Sequence, residues 1–232
     1  MSAAGAPYEL LTRFGLGDDD RGAWDAAGLP DSAFEEWLID RIARRPAGER
    51  ARRVYGAQDV HDFARRAILA ALALGPADRL LEIGCGGGLL LREALGTGAV
   101  VTGIDHSEEM VALATERAPG AVVLLAGADQ LLFPDAAFTA VAMSVVFFFL
   151  DDPATVLGEC RRVLAPGGRL AVFTTPPELR GTPAAPEPVA SRGHFYTDEA
   201  LSALAVGAGF LDPVVDRSVG QLLTARLTPL AR

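Results

Sequence analysis

The chain has 232 residues, half of them apolar, with 30 acidic against 21 basic side chains, which suits one globular domain with an appendage. Every basic residue is arginine and neither lysine nor asparagine occurs, so lysine nucleophiles and asparagine ligands are excluded. A net charge of −9 disfavours a nucleic-acid partner, because phosphate contacts supply most of such affinity.

Residues 1 to 77 read as a helical cap. The Gly- and Asp-rich stretch from Gly15 to Asp31 predicts a mobile loop. Ser32 and Glu35 are spaced as a capping box, Phe34, Trp37, Leu38 and Ile42 follow helical spacing, and Pro46 ends the run. A second helix is predicted from Ala57 to Leu74, with Val60, Phe63, Ala64, Ala67, Ile68 and Ala71 on one side and Gly75-Pro76 as its stop. The arginine pairs at 44-45, 52-53 and 65-66 are interleaved with acids and read as solvated helix surface.

From Asp78 the pattern changes to short apolar runs alternating with amphipathic helices, the mark of a mostly parallel sheet covered on both faces. Strands are predicted at Arg79 to Ile83, Ala99 to Ile104, Val122 to Leu125, Phe138 to Ser144 and Arg169 to Thr174. Helices fill the gaps, starting at Ser107 and at Asp152-Pro153. After a Pro-rich loop comes a helix opening at Thr197, then two strands, Phe210 to Asp216 and Gln221 to Thr228, close enough for an antiparallel hairpin. Cys85 and Cys160 lack C-x-x-C spacing, and the longest apolar stretch, Phe138 to Leu150, is too short to span a bilayer. The first thirty residues carry acids rather than a basic start and an apolar core. These features predict a cytoplasmic protein without a membrane partner.

The most informative run is LLEIGCGGG, residues 80 to 88, where a strand delivers Glu82 and then a glycine-rich turn. Glycine permits a tight turn and close approach of backbone N–H groups to a ligand. A dinucleotide fingerprint requires glycine where Leu89 stands, and a P-loop requires lysine. A carboxylate before the turn repels pyrophosphate and suits a ligand with an ammonium group or another positive centre.

The chain resembles the class I S-adenosylmethionine-dependent methyltransferases of the small-molecule and quinone type. The resemblance covers roughly residues 78 to 228 and rests on LEIGCGGG, VTGIDHSEEM, GADQLLFPDAAFTAVAMS and ECRRVLAPGGRLAVF in order. It implies an α/β, doubly wound, mostly parallel seven-stranded sheet of order 3-2-1-4-5-7-6 with strand seven antiparallel, over residues 78–232, preceded by the helical cap of residues 1–77. The implied cofactor is S-adenosylmethionine, leaving S-adenosylhomocysteine, held by Glu82, Gly84, Cys85, Gly86 and Gly88 of the turn, Asp105 on the ribose, and His106 along the adenine. Asp129 and Gln130 would meet the adenine amino group and ring, and Ser144 would line the pocket. Cys85 is a space-filling member of the turn with no nucleophilic role.

A sulfonium is already a strong methyl donor, so the protein has to align a nucleophile and exclude water. His194, in SRGHFYTDEA, is the candidate general base. The histidines have no metal-ligand spacing, and no metal is expected. Val145-Val146-Phe147-Phe148-Phe149-Leu150 reads as an apolar or aromatic substrate wall. The predicted reaction is methyl transfer to oxygen, nitrogen or carbon of a small, apolar or aromatic metabolite. The alternatives are a cyclase or rearrangement catalyst that keeps the methyl group, and a cofactor-binding partner protein without catalysis.

Overall fold

Residues 11–12, 14–57 and 61–229 are described by a computed structural model. The chain divides into two units, Met1–Asp59 and Val60–Arg232.

In the first unit, helix α1 (Asp18–Ala27) occupies most of the stretch expected to be a mobile loop. Three aspartates in its first turn favour the positive end of the helix dipole. Asp20 is buried, accepting Gly17 N–H at 2.9 Å and pairing with Arg41 at 2.7 Å. Trp24 supplies the packing, its ring 4.9 Å from Phe34 and 5.4 Å from Trp37. Helix α2 (Phe34–Ile39) follows a 3₁₀ turn, Asp31–Ala33, whose N-cap position is Pro30, so Ser32 lies within the turn rather than capping the helix. A π turn, Asp40–Arg44, extends it to just before Pro46. Helix α3 (Gly48–Ala57) was not anticipated; Arg50 Nε from it donates to Phe14 O at 2.8 Å.

The second unit opens with α4 (Asp62–Leu72). Val60, counted above in its apolar face, lies outside the described residues. Ala64, Ile68 and Leu72 pack with Leu80, Ala140 and Ala171. This helix therefore belongs with the sheet, and the division at 59/60 falls ahead of the 77/78 boundary read from the sequence.

The sheet comprises β1 (Arg79–Ile83), β2 (Val100–Asp105), β3 (Val122–Leu125), β4 (Phe138–Ser144), β5 (Leu164–Thr174), β6 (Leu211–Asp216) and β7 (Gln221–Arg226), ordered β3-β2-β1-β4-β5-β7-β6. Neighbours are parallel except at β7, which runs antiparallel to both β5 and β6. Between them run α5 (Leu89–Leu95), α6 (Glu108–Arg117), α7 (Pro153–Val163), the short α8 (Val189–Arg192) and α9 (Asp198–Gly207). Side chains of α4, α5 and α6 fill one face with Leu80, Val101 and Phe173. Those of α7 and α9 fill the other with Leu81, Ile83, Val141 and Val172.

The expected helix starts have physical caps. Ser107 accepts from Met110 N–H at 3.3 Å, Asp152 from Thr155 N–H at 3.0 Å, and Thr197 from Ala200 N–H at 3.2 Å. Strand β5 begins at Leu164 rather than Arg169 because the Pro166-Gly167-Gly168 turn is absorbed as a bulge, where Phe138 faces Leu164 and Ala140 faces Arg169. Among the described residues no helix is long and apolar enough to cross a membrane.

Candidate functional site

In β1, Leu81 and Ile83 face one apolar layer while Leu80 and Glu82 point to the other. That alternation leaves Glu82 only 2 % exposed, and its Oε2 is buried without a hydrogen-bond partner. The chain then turns through Gly84, Gly86 and Gly88, all in the left-handed region at φ +68°, +49° and +76°. Two of these positions also lack room. A Cβ on Gly84 would lie 2.5 Å from Val146 Cγ2, and one on Gly88 would lie 2.8 Å from Ala114 Cα, in α6. Above Gly86 there is nothing within 4 Å. The turn is thus packed on its flanks and open at its crest.

Strand β2 delivers Asp105 to the same place. Its Oδ2 accepts Gly86 N–H and its Oδ1 accepts Ser107 N–H, both at 2.9 Å. Each oxygen keeps capacity for another donor, as a pair of ribose hydroxyls would require. Its own carbonyl accepts Ala126 N–H at 3.0 Å, which ties the loop after β3 to the end of β2. Burial raises the Asp105 carboxyl, opposed by the two N–H groups. Burial, and next the Asp105 charge, hold Glu82 well above the ordinary carboxylate range, against a smaller pull from Arg65. Two buried carboxyl groups that act on one another electrostatically, one with an oxygen that has no protein donor, make an electrostatic demand that a cationic ligand rich in hydroxyl groups would meet.

Arg65 corrects one expectation. Although read as solvated surface, it is 4 % exposed, and its guanidinium bonds Glu93 at 3.0 Å and Asp62 at 2.9 Å. Its neighbour Arg66 is on the solvent side. Cys85 sits inside the turn, its N–H on Ile104 O at 2.9 Å, and burial followed by the Glu82 and Asp105 charges pushes its thiol far up.

The other proposed contacts are more open. His106 follows Asp105 on the surface, and Asp129 and Gln130 are exposed on the loop after β3. Ser144, half-buried, ends β4 in register with Phe173 of β5. The next residue, named above only within the apolar wall, has a backbone role that sequence reasoning missed. Val145 adopts φ +59°, a conformation that costs a β-branched residue on the order of 1–3 kcal/mol. Its N–H is held by Phe173 O at 2.8 Å, and Val146 is thereby set against Gly84. No sequence signal marks a valine for that role.

Beyond Val146 a 3₁₀ turn, Phe147–Phe149, holds the three phenylalanines expected to form a substrate wall, and the first two are buried within the protein. Phe147 is fully buried against Tyr196, and Phe148 stacks 4.0 Å from Phe149 and 5.9 Å from Phe195. The loop between β5 and α9 lies on this turn, with His194 N–H donating to Phe148 O at 2.7 Å. The imidazole itself is about half exposed, its Nε2 3.9 Å from Asp151 Oδ1. Gln221, wholly buried, anchors the end of the loop by donating to Tyr196 O and Asp198 Oδ1 at 3.0 and 2.7 Å. Glu82, the glycine turn and Asp105 are therefore brought together at the carboxyl ends of β1 and β2, while His194 belongs to the loops after β4 and β5 on the same edge. Open α/β sheets bind ligands at this edge. Among the described residues no cluster of His, Cys, Asp or Glu could hold a metal ion.

Residues 81–172, from β1 into β5, match the methyltransferase domain family. The chain carries a class I S-adenosylmethionine-dependent methyltransferase domain. S-adenosylmethionine is accordingly the cofactor of the domain, and the carboxylate pair and the open turn over Gly86 fit it. Demethylmenaquinone methyltransferase of Thermus thermophilus is 42% identical over 124 residues, 50% of this chain and 56% of that protein. The 27-O-demethylrifamycin SV methyltransferase of Amycolatopsis mediterranei is 39% identical over 131 residues, 53% of this chain and 48% of that one. A crystal structure of a methyltransferase from Thermotoga maritima superposes with a TM-score of 0.57 at 26% identity, covering 72% of this chain and 91% of that chain. The chain matches about half the length of these two curated relatives.

Proposed function

We propose that this chain methylates an oxygen, nitrogen or carbon atom of a small aromatic acceptor. The observation that carries the reading is the juxtaposition, on one sheet edge, of the Glu82–Asp105 carboxylate pair with the phenylalanine turn at 147–149. The first supplies a seat for the cofactor and the second, at the partly exposed Phe149, an aromatic contact for a ring. A relative named for demethylmenaquinone points to the same acceptor chemistry.

In this proposal Asp105 takes the ribose hydroxyls, Glu82 takes the charged end beside the glycine turn, and the loop after β3, with Asp129 and Gln130, borders the base beside His106. Ser144 and the strained Val145 close the pocket from β4. Bound, the cofactor supplies a methyl carbon on cationic sulfur. That carbon would pass to the acceptor atom with the carbon–sulfur electron pair left on sulfur, giving S-adenosylhomocysteine, so the chain's own residues have to hold, orient and deprotonate the acceptor. His194 Nε2 receives the acceptor's proton and passes it to water. A reducing, cytoplasmic setting is supported by the two buried unpaired thiols, and the acidic composition argues against a nucleic-acid substrate.

The test is incubation with S-adenosylmethionine and a panel of phenols and hydroquinones, with S-adenosylhomocysteine as the readout. Acceptor-dependent formation supports methyl transfer. Conversion of an acceptor without S-adenosylhomocysteine supports the cyclase reading instead.

A further inference from the structure

Arg180 lies in the loop after β5, where nothing in the sequence motifs gave it a role. Its Nε donates to Ala190 O at 2.7 Å, and its guanidinium carbon stands 5.7 Å from the centre of the Phe195 ring. Ala190 is itself buried, so that acceptor is fixed. Glu178, the nearest acid in sequence, is paired with Arg217. The two Nη groups have no hydrogen-bond or ion-pair partner among the described residues. One edge of the fork is therefore held by Ala190 O, its carbon lies over an aromatic ring, and its other edge has no protein partner among the described residues. An arginine held in this way loses little rotamer entropy on binding and offers two parallel N–H donors to a planar anion. The ring beneath it lies 5.9 Å from the buried Phe148 ring at an interplanar angle of 43°, and Phe148 lies 4.0 Å from Phe149 at 33°.

We infer that Arg180 is a specificity-determining residue, which receives a carboxylate carried by the aromatic acceptor. This rests on the acceptor reading above and narrows it to aromatic acids. A neutral ring would use the wall alone; an acid would use both.

The probes are 4-hydroxybenzoate and its neutral counterpart 4-hydroxybenzamide, titrated calorimetrically into the full chain saturated with S-adenosylhomocysteine. A charge-assisted bidentate contact should make the carboxylate bind about 10- to 100-fold tighter than the amide. Arg180→Gln should abolish that preference while leaving the amide's affinity within about twofold, and Arg180→Lys, which keeps charge but not the fork, should restore only part of it. The amide is the control for the loop. If its affinity falls in step with that of the carboxylate, Arg180 only braces the loop and the inference is overturned. Equal affinities in the wild type, or no binding of either probe, overturn it as well. If the carboxylate binds with the expected preference but no phenol yields S-adenosylhomocysteine, the methyl-transfer reading fails and the anion subsite stands.

Discussion

Replacing Glu82 by glutamine should stabilise the free protein and weaken its hold on the cofactor. Glu82 is 2 % exposed, its Oε2 has no donor, Asp105 lies beside it, and the guanidinium of Arg65 is shared with Glu93 and Asp62. A buried ionised group so poorly satisfied costs about 1–3 kcal/mol. Glutamine removes the charge at nearly constant volume. For a domain of this size each kcal/mol moves Tm by roughly 2–4 °C, so Glu82→Gln should melt about 3–10 °C higher at pH 8.

The pH dependence has a defined sign. The folded carboxyl is raised above its unfolded value, so the native state binds the proton more tightly. Below the unfolded value both states are protonated and the penalty is absent. It grows as pH rises from there through the raised folded value. The advantage of the variant should therefore be largest at pH 8 and shrink toward pH 4. Saturation with S-adenosylhomocysteine should cancel most or all of this advantage, since a hundredfold loss of affinity removes about 2.7 kcal/mol of ligand stabilisation. Thermal melts at several pH values, with and without ligand, read all of this. A variant no more stable than wild type at pH 8, or one with an undiminished ligand-induced shift, would refute the role given to the carboxylate.

Asp105→Asn should lower affinity for S-adenosylhomocysteine by about 30- to 150-fold in calorimetry, because an amide cannot accept at both oxygens as the carboxylate does from Gly86 and Ser107. Gly86→Val should fold, as circular dichroism would show, yet lose cofactor binding: its Cβ enters open space, and φ is +49°. Val145→Gly should raise Tm at the level of about 1 kcal/mol by relieving the left-handed valine; an unchanged or lower Tm contradicts the strain. Neither thiol should react with Ellman's reagent at pH 8 before unfolding, since Cys85 and Cys160 are buried and burial pushes Cys160 up to about 12; rapid labelling of native protein would contradict this.

Where a local signal and a tertiary demand coincide, the sequence was readable. Ser107, Asp152-Pro153 and Thr197 each combine a cap with the start of an apolar period, and the helices begin there. Glu82 and Asp105 were legible because strand ends fix where such side chains can go. Helix α1 was not, because Asp and Gly are poor helix formers and the helix depends on Trp24 packing and the Asp20–Arg41 pair, both set by residues distant in sequence. Arg65 looked like its neighbour Arg66 because helical spacing does not disclose that Glu93 waits across the layer. The fixed guanidinium of Arg180 depends on Ala190 and Phe195 being folded back beneath it, within a loop whose proline content says only that it is irregular.

The most direct measurement is a crystal structure of the chain with S-adenosylhomocysteine, since substitutions at Asp105 also disturb the turn it holds. The ligand should lie across the crest at Gly86, with its ribose hydroxyls donating to Asp105 and its charged end toward Glu82. A ligand seated elsewhere on the sheet, or no binding at millimolar concentration, would contradict the assignment.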